Sequence, residues 1–384
     1  MKRKHFFLFA SAVAMLTACS SEDLGTTETS KQAIRFDVPF VGKTTRSTGD
    51  LNNTNISNQS IKVWGDEYSD GATTGTSVFS GEGDAKLSYA GSVWDVDKIA
   101  FWDEGMKYDF LAVAPYNLAN VSYGTTGSSY TIADRKLSIA DIPAVKKITD
   151  GDDILVAAVN EQSKGANADN GVQFNFSHIL SRFSVYAYTA IPNDEPTGYT
   201  VKLNSLSIYL PNDKAKAKYT QATHGEVDND ADTWEWGNFT NAATTATEAD
   251  LANDYTKYDL NADNTTASLQ YAATLADARQ AAKNETTKAS YLLQPEFFVA
   301  PTTKIEASTT ADLQLFMKIT YTLTGKGDNQ SKEYTKFVPI QDLHSFKQGH
   351  QTNLFICIGE GDIEFGNFSV NGWQNAADAE HDFK

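Results

Sequence analysis

Short runs of alternating apolar and polar residues, separated by turn residues, extend along most of the chain. In the first run, residues 34–40, every second position is apolar: Ile34, Phe36, Val38 and Phe40. This spacing predicts a half-buried strand, since alternate side chains of a strand share one face. Pro39 has no amide hydrogen, so we expect this strand at a sheet edge or ending near the proline.

Similar runs predict further strands at residues 60–64, 98–101, 108–114, 153–158, 172–176, 182–188, 201–209, 291–299, 313–323, 332–338, 353–358 and 362–370. Gly, Asn and Asp turns between short strands, with only nine prolines, predict an all-β fold of sandwiches. Helical turns are expected only at residues 249–254 and 274–283.

The chain length of 384 residues favours two or three domains. A slight change in composition near Ser181 predicts an N-terminal β-sandwich domain at 47–181 and a C-terminal one at 182–384. Residues 214–290 are rich in Ala, Thr, Asn and Asp. We expect them to form a loop-rich, poorly packed insertion on the second domain.

The N-terminus has the layout of a bacterial signal peptide, expected at residues 1–18. Lys2, Arg3 and Lys4 precede a short apolar stretch, which is followed by Leu16-Thr-Ala-Cys19. That tetrapeptide resembles a lipobox, in which the cysteine is acylated and becomes the new N-terminus. Acyl chains on Cys19 would anchor the protein in the outer membrane, facing the cell surface. An ordinary cleaved signal with a chance cysteine is the alternative.

Residues 20–33 are rich in Ser, Thr and Glu and are expected to be a flexible tether. The polar stretch that begins at Lys43 carries Arg46, followed by Ser47. A small-residue loop with an exposed arginine suits a trypsin-like protease.

The formal net charge is −17, and removal of Lys2, Arg3 and Lys4 with the signal peptide lowers it from −17 to −20. Such a charge argues against nucleic acid as a partner, because phosphates repel it. If Cys19 is lipidated, Cys357 has no disulfide partner, and its apolar surroundings predict a buried small side chain.

No motif of an enzyme, cofactor site or metal site stands out. Residues 228–232 begin like a calcium loop but lack the glycine and glutamate that complete it. His178 is expected to be a packed or turn-facing residue. We therefore expect no enzyme, no cofactor and no metal, although a glycosidase needs only two carboxylates and stays a third alternative.

Seven segments, in order along the chain, resemble those of the fimbrillin family, the FimA-type and Mfa-type subunits of protease-matured type V pili. They are residues 16–46 with the lipobox, first strand and Arg46, then 98–116, 153–157, 176–185, 291–295, 346–354 and 370–373. Gln294-Pro295 reverses the family's usual order, and His350–Asn353 replace an expected tyrosine.

The resemblance implies two transthyretin-like β-sandwich domains in tandem and export as an outer-membrane lipoprotein. It implies that an Arg-specific protease cuts after Arg46, so that Ser47 becomes the N-terminus. Residues 19–46, a propeptide with the lipid and the removable first strand, would then leave, and a strand of another pilus subunit would fill the groove. Loss of the first strand uncovers apolar side chains, at roughly 1.5–3 kcal/mol each, which favours β-strand addition.

The expected donor strand is residues 362–373, with a possible bulge allowed by Gly366 and with alternating apolar residues at Ile363, Phe365, Phe368 and Val370. The alternative is that this strand only completes its own sandwich. Stalk, tip and anchor subunits share these features, and the short C-terminal tail slightly favours a stalk subunit.

The expected function is thus that of a structural pilus subunit supporting adhesion and biofilm formation. The alternative is a surface lipoprotein that binds glycans or host ligands without polymerising. Trp234 and Trp236 could form a sugar platform in that case, although such tryptophans are more often partly buried.

Overall fold

The computed structural model describes residues 31–37, 39–41, 51–79, 83–91, 93–124, 129–148, 153–167, 171–194, 198–212, 216–227, 232–237, 245–260, 268–284, 292–302, 314–327, 329–340, 346–359 and 363–370. All of these except Lys31 belong to one compact unit, Gln32–Lys384. Strands dominate it, which confirms the predicted all-β class. Within these ranges no helix has the length and apolar character to cross a bilayer.

The strands of the first part of the chain are β1 Phe40–Val41, β2 Ile61–Ser69, β3 Thr74–Ser77, β4 Asp84–Tyr89, β5 Trp94–Val96, β6 Met106–Ala114, β7 Val121–Tyr123, β8 Tyr130–Thr131, β9 Leu137–Pro143, β10 Val145–Lys147, β11 Leu155–Gln162 and β12 Asn175–His178. Those that follow are β13 Ser181–Thr189, β14 Tyr199–Pro211, β15 Lys216–Thr220, β16 Thr233–Trp236, β17 Tyr255–Asp259, β18 Leu292–Val299, β19 Phe316–Gly325, β20 Ser331–Pro339, β21 Gln351–Ile358 and β22 Ile363–Val370.

Helical structure in the described ranges is limited to short elements: α1 Lys164–Asn167, α2 Leu275–Lys283, and 3-10 turns at Ile56–Asn58, Ile132–Asp134 and Glu248–Leu251. A capping box starts α2. The Thr274 hydroxyl accepts from the Asp277 amide at 3.2 Å, and the Asp277 carboxylate accepts from the Thr274 amide at 3.1 Å. Both expected helical turns are confirmed in position, but the expectation that they are the only ones is wrong, since α1 and the first two 3-10 turns lie elsewhere.

One sheet curls until its two ends meet across the N-terminal residues. Its neighbours pair antiparallel in the order β12, β11, β6, β2, β4 and β5. Phe36 then bridges Trp94 of β5 on one side and Val172, just before β12, on the other. The strands thus form a closed ring, and residues 32–41, here called the N-terminal segment, are its closing element.

The interior of the ring is a hydrophobic core, and a second core lies on its outer side. Because alternate residues of a strand face opposite ways, β6 serves both: Phe110 and Ala112 point into the ring, whereas Leu111 and Val113 point outward. The outer core is covered by a sheet ordered β16-β15-β9-β7. Burial on two faces explains the unbroken apolar run of β6. These two sheets make up the N-terminal half.

The C-terminal half is a sandwich of two sheets, ordered β10-β18-β13-β21-β22 and β17-β14-β19-β20. Its core lies between them and includes Val185 and Leu354 from the first sheet and Leu206 and Ile319 from the second. The central neighbours β13 and β21 are parallel and buried along their whole length, as is usual for parallel strands covered on both faces.

The hairpin β15–β16 lies in the stretch expected to be a poorly packed insertion on the second domain. Instead, β15 pairs with β9 of the N-terminal half, and Tyr219 is fully buried. Trp236, at the end of β16, packs against the core of the C-terminal half. Part of residues 214–290 therefore connects the two halves. The limits of the two domains stay a prediction.

A buried ion pair lies between β2 and the residues that precede β9. Arg135 donates from Nε to the Asp66 carboxylate at 3.1 Å and from Nη1 to the Tyr123 carbonyl at 2.7 Å. Its guanidinium lies 4.3 and 4.4 Å from the ring centroids of Tyr123 and Tyr130, whose hydroxyls both donate to Asp66. Burial, and then the Asp66 charge, raise the pKa of Tyr123, which keeps its hydroxyl a donor.

His224, which follows β15, attaches its stretch of chain to this ion pair. Its Nε2 lies 2.9 Å from the Asp109 carboxylate and its Nδ1 lies 2.8 Å from the Arg135 carbonyl oxygen. Both partners are acceptors, so both ring nitrogens donate, as only the imidazolium can. Burial lowers the pKa of His224, but its hydrogen bonds to Asp109 and Arg135 and the charges of Asp109 and Asp66 outweigh burial and raise it.

Replacement of Arg135 is expected to destabilise the protein strongly. Arg135→Ala leaves the fully buried Asp66 carboxylate without its cation, which should lower the free energy of unfolding by about 3–5 kcal/mol. Urea unfolding followed by tryptophan fluorescence measures this. Lys164→Ala, which removes an exposed pair with Glu104 at 3.4 Å, is the control and should not change the midpoint. Equal shifts in the two variants would contradict the assigned role.

The His224 contacts predict a pH dependence of stability with a definite sign. Because folding raises the pKa of His224, its contribution is complete below pH about 6.5, the ordinary value, and is lost as pH rises through the folded-state pKa. The difference in unfolding free energy between wild type and His224→Gln should therefore shrink with increasing pH. Chemical unfolding at a series of pH values measures it, and a constant difference would exclude this linkage.

Candidate functional site

The N-terminal segment is hydrogen-bonded along one side to the stretch that follows β5. The Ile34 amide donates to the Ala100 carbonyl, and the Trp102 amide donates to the Gln32 carbonyl, both at 2.9 Å. Ala33 lies opposite Phe101 in an antiparallel bridge. This side of the segment is thus held by two backbone hydrogen bonds and an isolated bridge, and the strand predicted at residues 98–101 does not form.

On its other side the segment is bonded to the stretch that leads into β12. The Asp37 and Phe40 amides donate to the carbonyls of Val172 and Phe174 at 3.0 and 2.8 Å, and the Val172 amide donates to the Arg35 carbonyl at 2.8 Å. β1 continues this pairing parallel to β12. We call the place between residues 94–102 and 172–176 the seat of the segment.

The two expectations for this strand, an edge position or an end near Pro39, are met in different parts of it. Around Phe36 the segment lies between two neighbours because the sheet curls into a ring, whereas pairing stops near Pro39 and β1 pairs with β12 alone at the end of the sheet order. Pro39 falls between the bridge at Phe36 and the start of β1, where pairing is interrupted. There its missing amide hydrogen removes no bond of the ladder.

Three side chains of the segment fill the interior of the ring. Ile34, Phe36 and Val41 are 2%, 6% and 0% exposed. The Phe36 ring stacks on Phe174 at 5.6 Å and meets Phe110 edge-on at 5.5 Å between centroids. The segment is thus part of the ring's core and not an addition to its surface.

Phe40 does not share the face of Ile34 and Phe36. It is 47% exposed, whereas its neighbour Val41 is fully buried. The period of two is broken around Pro39, since pairing stops after Asp37 and resumes at β1. The expectation that Phe40 lies on the same buried face as Ile34 and Phe36 is therefore wrong, and Val41 is buried instead. Val38, the fourth predicted residue, lies outside the described residues.

Gly171 allows the segment to approach closely. It has a φ of +75°, and a Cβ there would lie 3.1 Å from the Arg35 carbonyl oxygen and 3.2 Å from the Asp37 amide nitrogen. A side chain at this position would press against the backbone of the segment. The sequence offered no pattern that singled out this glycine.

The chain just beyond the segment is fixed on both sides of residues 42–50. The Asn53 side chain accepts from the Val41 amide at 2.6 Å and donates to the Val41 carbonyl at 3.0 Å. Asp153 accepts from the Leu51 amide at 3.2 Å and from His178 Nδ1 at 2.7 Å. His178 is thus a buried residue with a carboxylate partner, in agreement with its expected packed role.

Three predicted sites cannot be placed. Cys19, Arg46 and Ser47 lie outside the described residues, so their lipidation and processing stay predictions. The same holds for residues 228–231 of the calcium-like sequence. Among the residues that are described, no group of three or more His, Cys, Asp or Glu side chains could hold a metal ion.

The predicted donor strand forms β22 and pairs antiparallel with β21 at the end of its sheet. The Cα partners run without a break from Ile363 opposite Ile358 to Val370 opposite Gln351. The register is continuous at Gly366, so the bulge considered there is absent. Phe365 and Phe368 lie on this same strand, opposite Ile356 and Asn353.

The two tryptophans considered for sugar binding are engaged within the protein. Trp234 packs on Tyr219 at 5.2 Å between centroids and donates to Gln348 at 3.1 Å, while Trp236 donates to the Pro301 carbonyl at 3.2 Å. Both side chains are partly buried. Their geometry suits a connection between the halves better than an open platform.

Comparison with known families gives one match over most of the chain. A family described as fimbrillin-like matches residues 45–373. No curated protein sequence matches.

Several solved structures are similar. A fimbrial protein from Bacteroides vulgatus is 17% identical with a TM-score of 0.50, over 89% of this chain and 100% of that one. A candidate cell adhesion protein from Bacteroides ovatus is 12% identical with a TM-score of 0.45, over 90% and 99%. The tip fimbrial protein Mfa3 from Porphyromonas gingivalis, with C-terminal truncation, is 10% identical with a TM-score of 0.32, over 82% and 94%. The first of these shows a shared fold.

Two phenylalanines of the segment allow a matched test of its packing. Phe36→Ala removes a buried ring and is expected to lower the free energy of unfolding by about 3–5 kcal/mol. Phe40→Ala removes the same group from an exposed position and should cost less than about 1 kcal/mol. Urea unfolding of the full chain measures both, and similar losses would contradict the described register.

Proposed function

The chain belongs to the fimbrillin-like family, and from this membership we propose that it is a structural pilus subunit matured by proteolysis and assembled by strand exchange. Members of this family are fimbrial and adhesion proteins at the cell surface, and the family is not one of enzymes.

The observation that carries the proposal is the closure of the strand ring by the N-terminal segment. The segment precedes Arg46 in the chain, so a cut there frees it from the rest of the protein. Its departure uncovers the sites of Ile34, Phe36 and Val41, at roughly 1.5–3 kcal/mol for each side chain. It also leaves unpaired backbone on residues 100–102 and 172–174. Only another strand replaces both kinds of contact.

Residues 42–50 are well suited to be the cleaved stretch. They join two anchored points, since Asn53 holds Val41 and Asp153 holds Leu51. Their sequence is small and polar around Arg46, as protease-sensitive loops are. After a cut before Ser47, Val41 on one side and Leu51 on the other keep their hydrogen bonds to Asn53 and Asp153, so the segment stays until a competing strand displaces it.

The C-terminal strand β22 is the proposed donor. It lies at the end of its sheet and pairs with β21 alone among the described strands. Leaving that position breaks one ladder, whereas filling the seat of another subunit makes hydrogen bonds on two sides. This difference favours exchange. In the alternative, β22 only completes its own sandwich and stays paired with β21, as it is in the isolated chain.

Before maturation, we propose, Cys19 carries the lipid that holds the precursor at the outer membrane. The partners are then the lipid bilayer, an Arg-specific protease and other pilus subunits. A cut at Arg46 separates the subunit from the anchor together with the segment.

Limited digestion of the unlipidated chain with an Arg-specific protease tests the proposal. One early cut that leaves Ser47 as the N-terminus is expected, followed by multimers whose size grows with protein concentration, measured by size-exclusion chromatography with light scattering. Arg46→Gln should abolish both the cut and the multimers.

Deletion of residues 362–384 should allow the cut but stop multimer formation. A cut chain that stays a stable monomer at all concentrations would contradict strand exchange and would favour an anchored binding protein instead.

A further inference from the structure

Exposed large apolar side chains are concentrated around the seat. Seven occur among the described residues: Phe40, Tyr89, Val93, Ile99, Phe101, Tyr199 and Tyr271. Phe40 belongs to the N-terminal segment. Tyr89 and Val93 belong to the hairpin β4–β5, and Ile99 and Phe101 belong to the stretch after β5; both border the seat. Clusters of this kind on a protein surface mark contact sites more often than isolated apolar residues do.

Two of them lie directly beside the segment on its outer face. Ile99 and Phe101 are 71% and 47% exposed and alternate with the buried residues Ala100 and Trp102. This alternation turns Ile99 and Phe101 away from the interior of the ring. Phe101 stands opposite Ala33 of the segment.

The other two lie at the tip of the hairpin β4–β5. Tyr89 packs on Trp94 at 5.5 Å between ring centroids, and Trp94 is the residue that bridges Phe36. Val93 lies in the turn between the two strands, where the Ala90 amide donates to its carbonyl at 2.8 Å. We call Tyr89, Val93, Ile99 and Phe101 together the apolar rim of the seat.

We propose that the apolar rim is a contact surface for a second copy of this chain, namely the copy whose strand enters the seat. This inference rests on the proposed function and adds a surface outside the groove to it. All four rim residues follow Arg46 and stay with the mature chain, whereas Phe40 leaves with the segment. A strand in the seat lies about 4.8 Å from the backbone of residues 100–102, with which it pairs. The body attached to that strand therefore comes next to Ile99 and Phe101.

Strand exchange alone does not explain an apolar outer face. The ring interior and the backbone edges supply the energy for filling the seat, and neither involves the exposed side chains of Ile99 and Phe101. A neighbouring subunit that covers the rim would bury these side chains in addition, and it would fix the orientation of its body relative to the strand that it donates.

Matched variants of the full chain test the rim. Ile99→Ser combined with Phe101→Ser should leave the cut after Arg46 and the unfolding midpoint near wild type, because both side chains are exposed. The concentration needed for multimers should rise about tenfold or more, as for truncation of central contact residues. Tyr199→Ser combined with Tyr271→Ser removes two apolar groups that are 41% and 46% exposed and lie far from the seat in sequence, and this variant should polymerise like wild type.

Hydroxyl-radical footprinting of the wild-type chain provides a readout that does not depend on variants. Labelling of Tyr89 and Phe101 should fall severalfold when the cut chain forms multimers, while labelling of Tyr199 and Tyr271 stays constant. Low labelling of the rim in the uncut monomer would mean that residues of the same chain, N-terminal to the segment, already cover it. That result would overturn the proposal.

The outcomes separate this inference from the proposed function. If the wild type polymerises after the cut, and the rim variant polymerises equally well, the rim inference is wrong and strand exchange stands. If the cut wild type stays monomeric, the proposed function fails, and the rim inference fails with it.

Discussion

The pairing of the N-terminal segment with both of its neighbours is the interaction on which the N-terminal half depends. It joins the two ends of a curled sheet and so converts an open sheet into a closed ring with a filled interior. A ring has no free edges, and its core is shielded all round. Removal of one strand opens the whole ring, because the gap exposes two backbone edges and the hydrophobic core at the same time.

The outer face of the N-terminal half is stabilised by contacts that do not involve the segment. Asp66 and Asp109 lie on the neighbouring strands β2 and β6, and Arg135 and His224 bind them from two other parts of the chain. Charges and hydrogen bonds thus secure one side of these strands, while apolar contacts with the segment secure the other. A buried network of this kind is specific in geometry, since an unpaired member is costly.

The sequence predicted the strands that are buried on alternating or on both faces, such as β6, β13 and β19, and it predicted a helical turn at 274–283, where α2 forms. It did not reveal the short strands β3, β5, β7 and β16, which have too few residues to establish a period. It also missed β4 and β9, which are longer. The ring also escaped prediction, because its closure depends on long-range pairing of Phe36 with Trp94 and Val172. Ile34 and Phe36 were identified as core residues from their spacing. Val41 is buried in place of Phe40 because the strand is irregular at Pro39, and a strict period of two does not predict such an irregularity. The contacts of Asn53 and Gly171 with the segment depend on the tertiary structure alone.

The connection between the two halves has a mechanical meaning. The short step from β9 to β10 carries the chain from a sheet of one half into a sheet of the other, and the hairpin β15–β16 pairs with β9 while its Trp236 reaches the opposite core. The hydrogen bonds from Trp234 to Gln348 and from Trp236 to Pro301 add cross-links at the same place. Tension that enters one half and leaves through the other is therefore divided among several ladders and side chains. A chain connected in this way responds to a pulling force as one stiff body, whereas two domains joined by a single linker would move independently of each other.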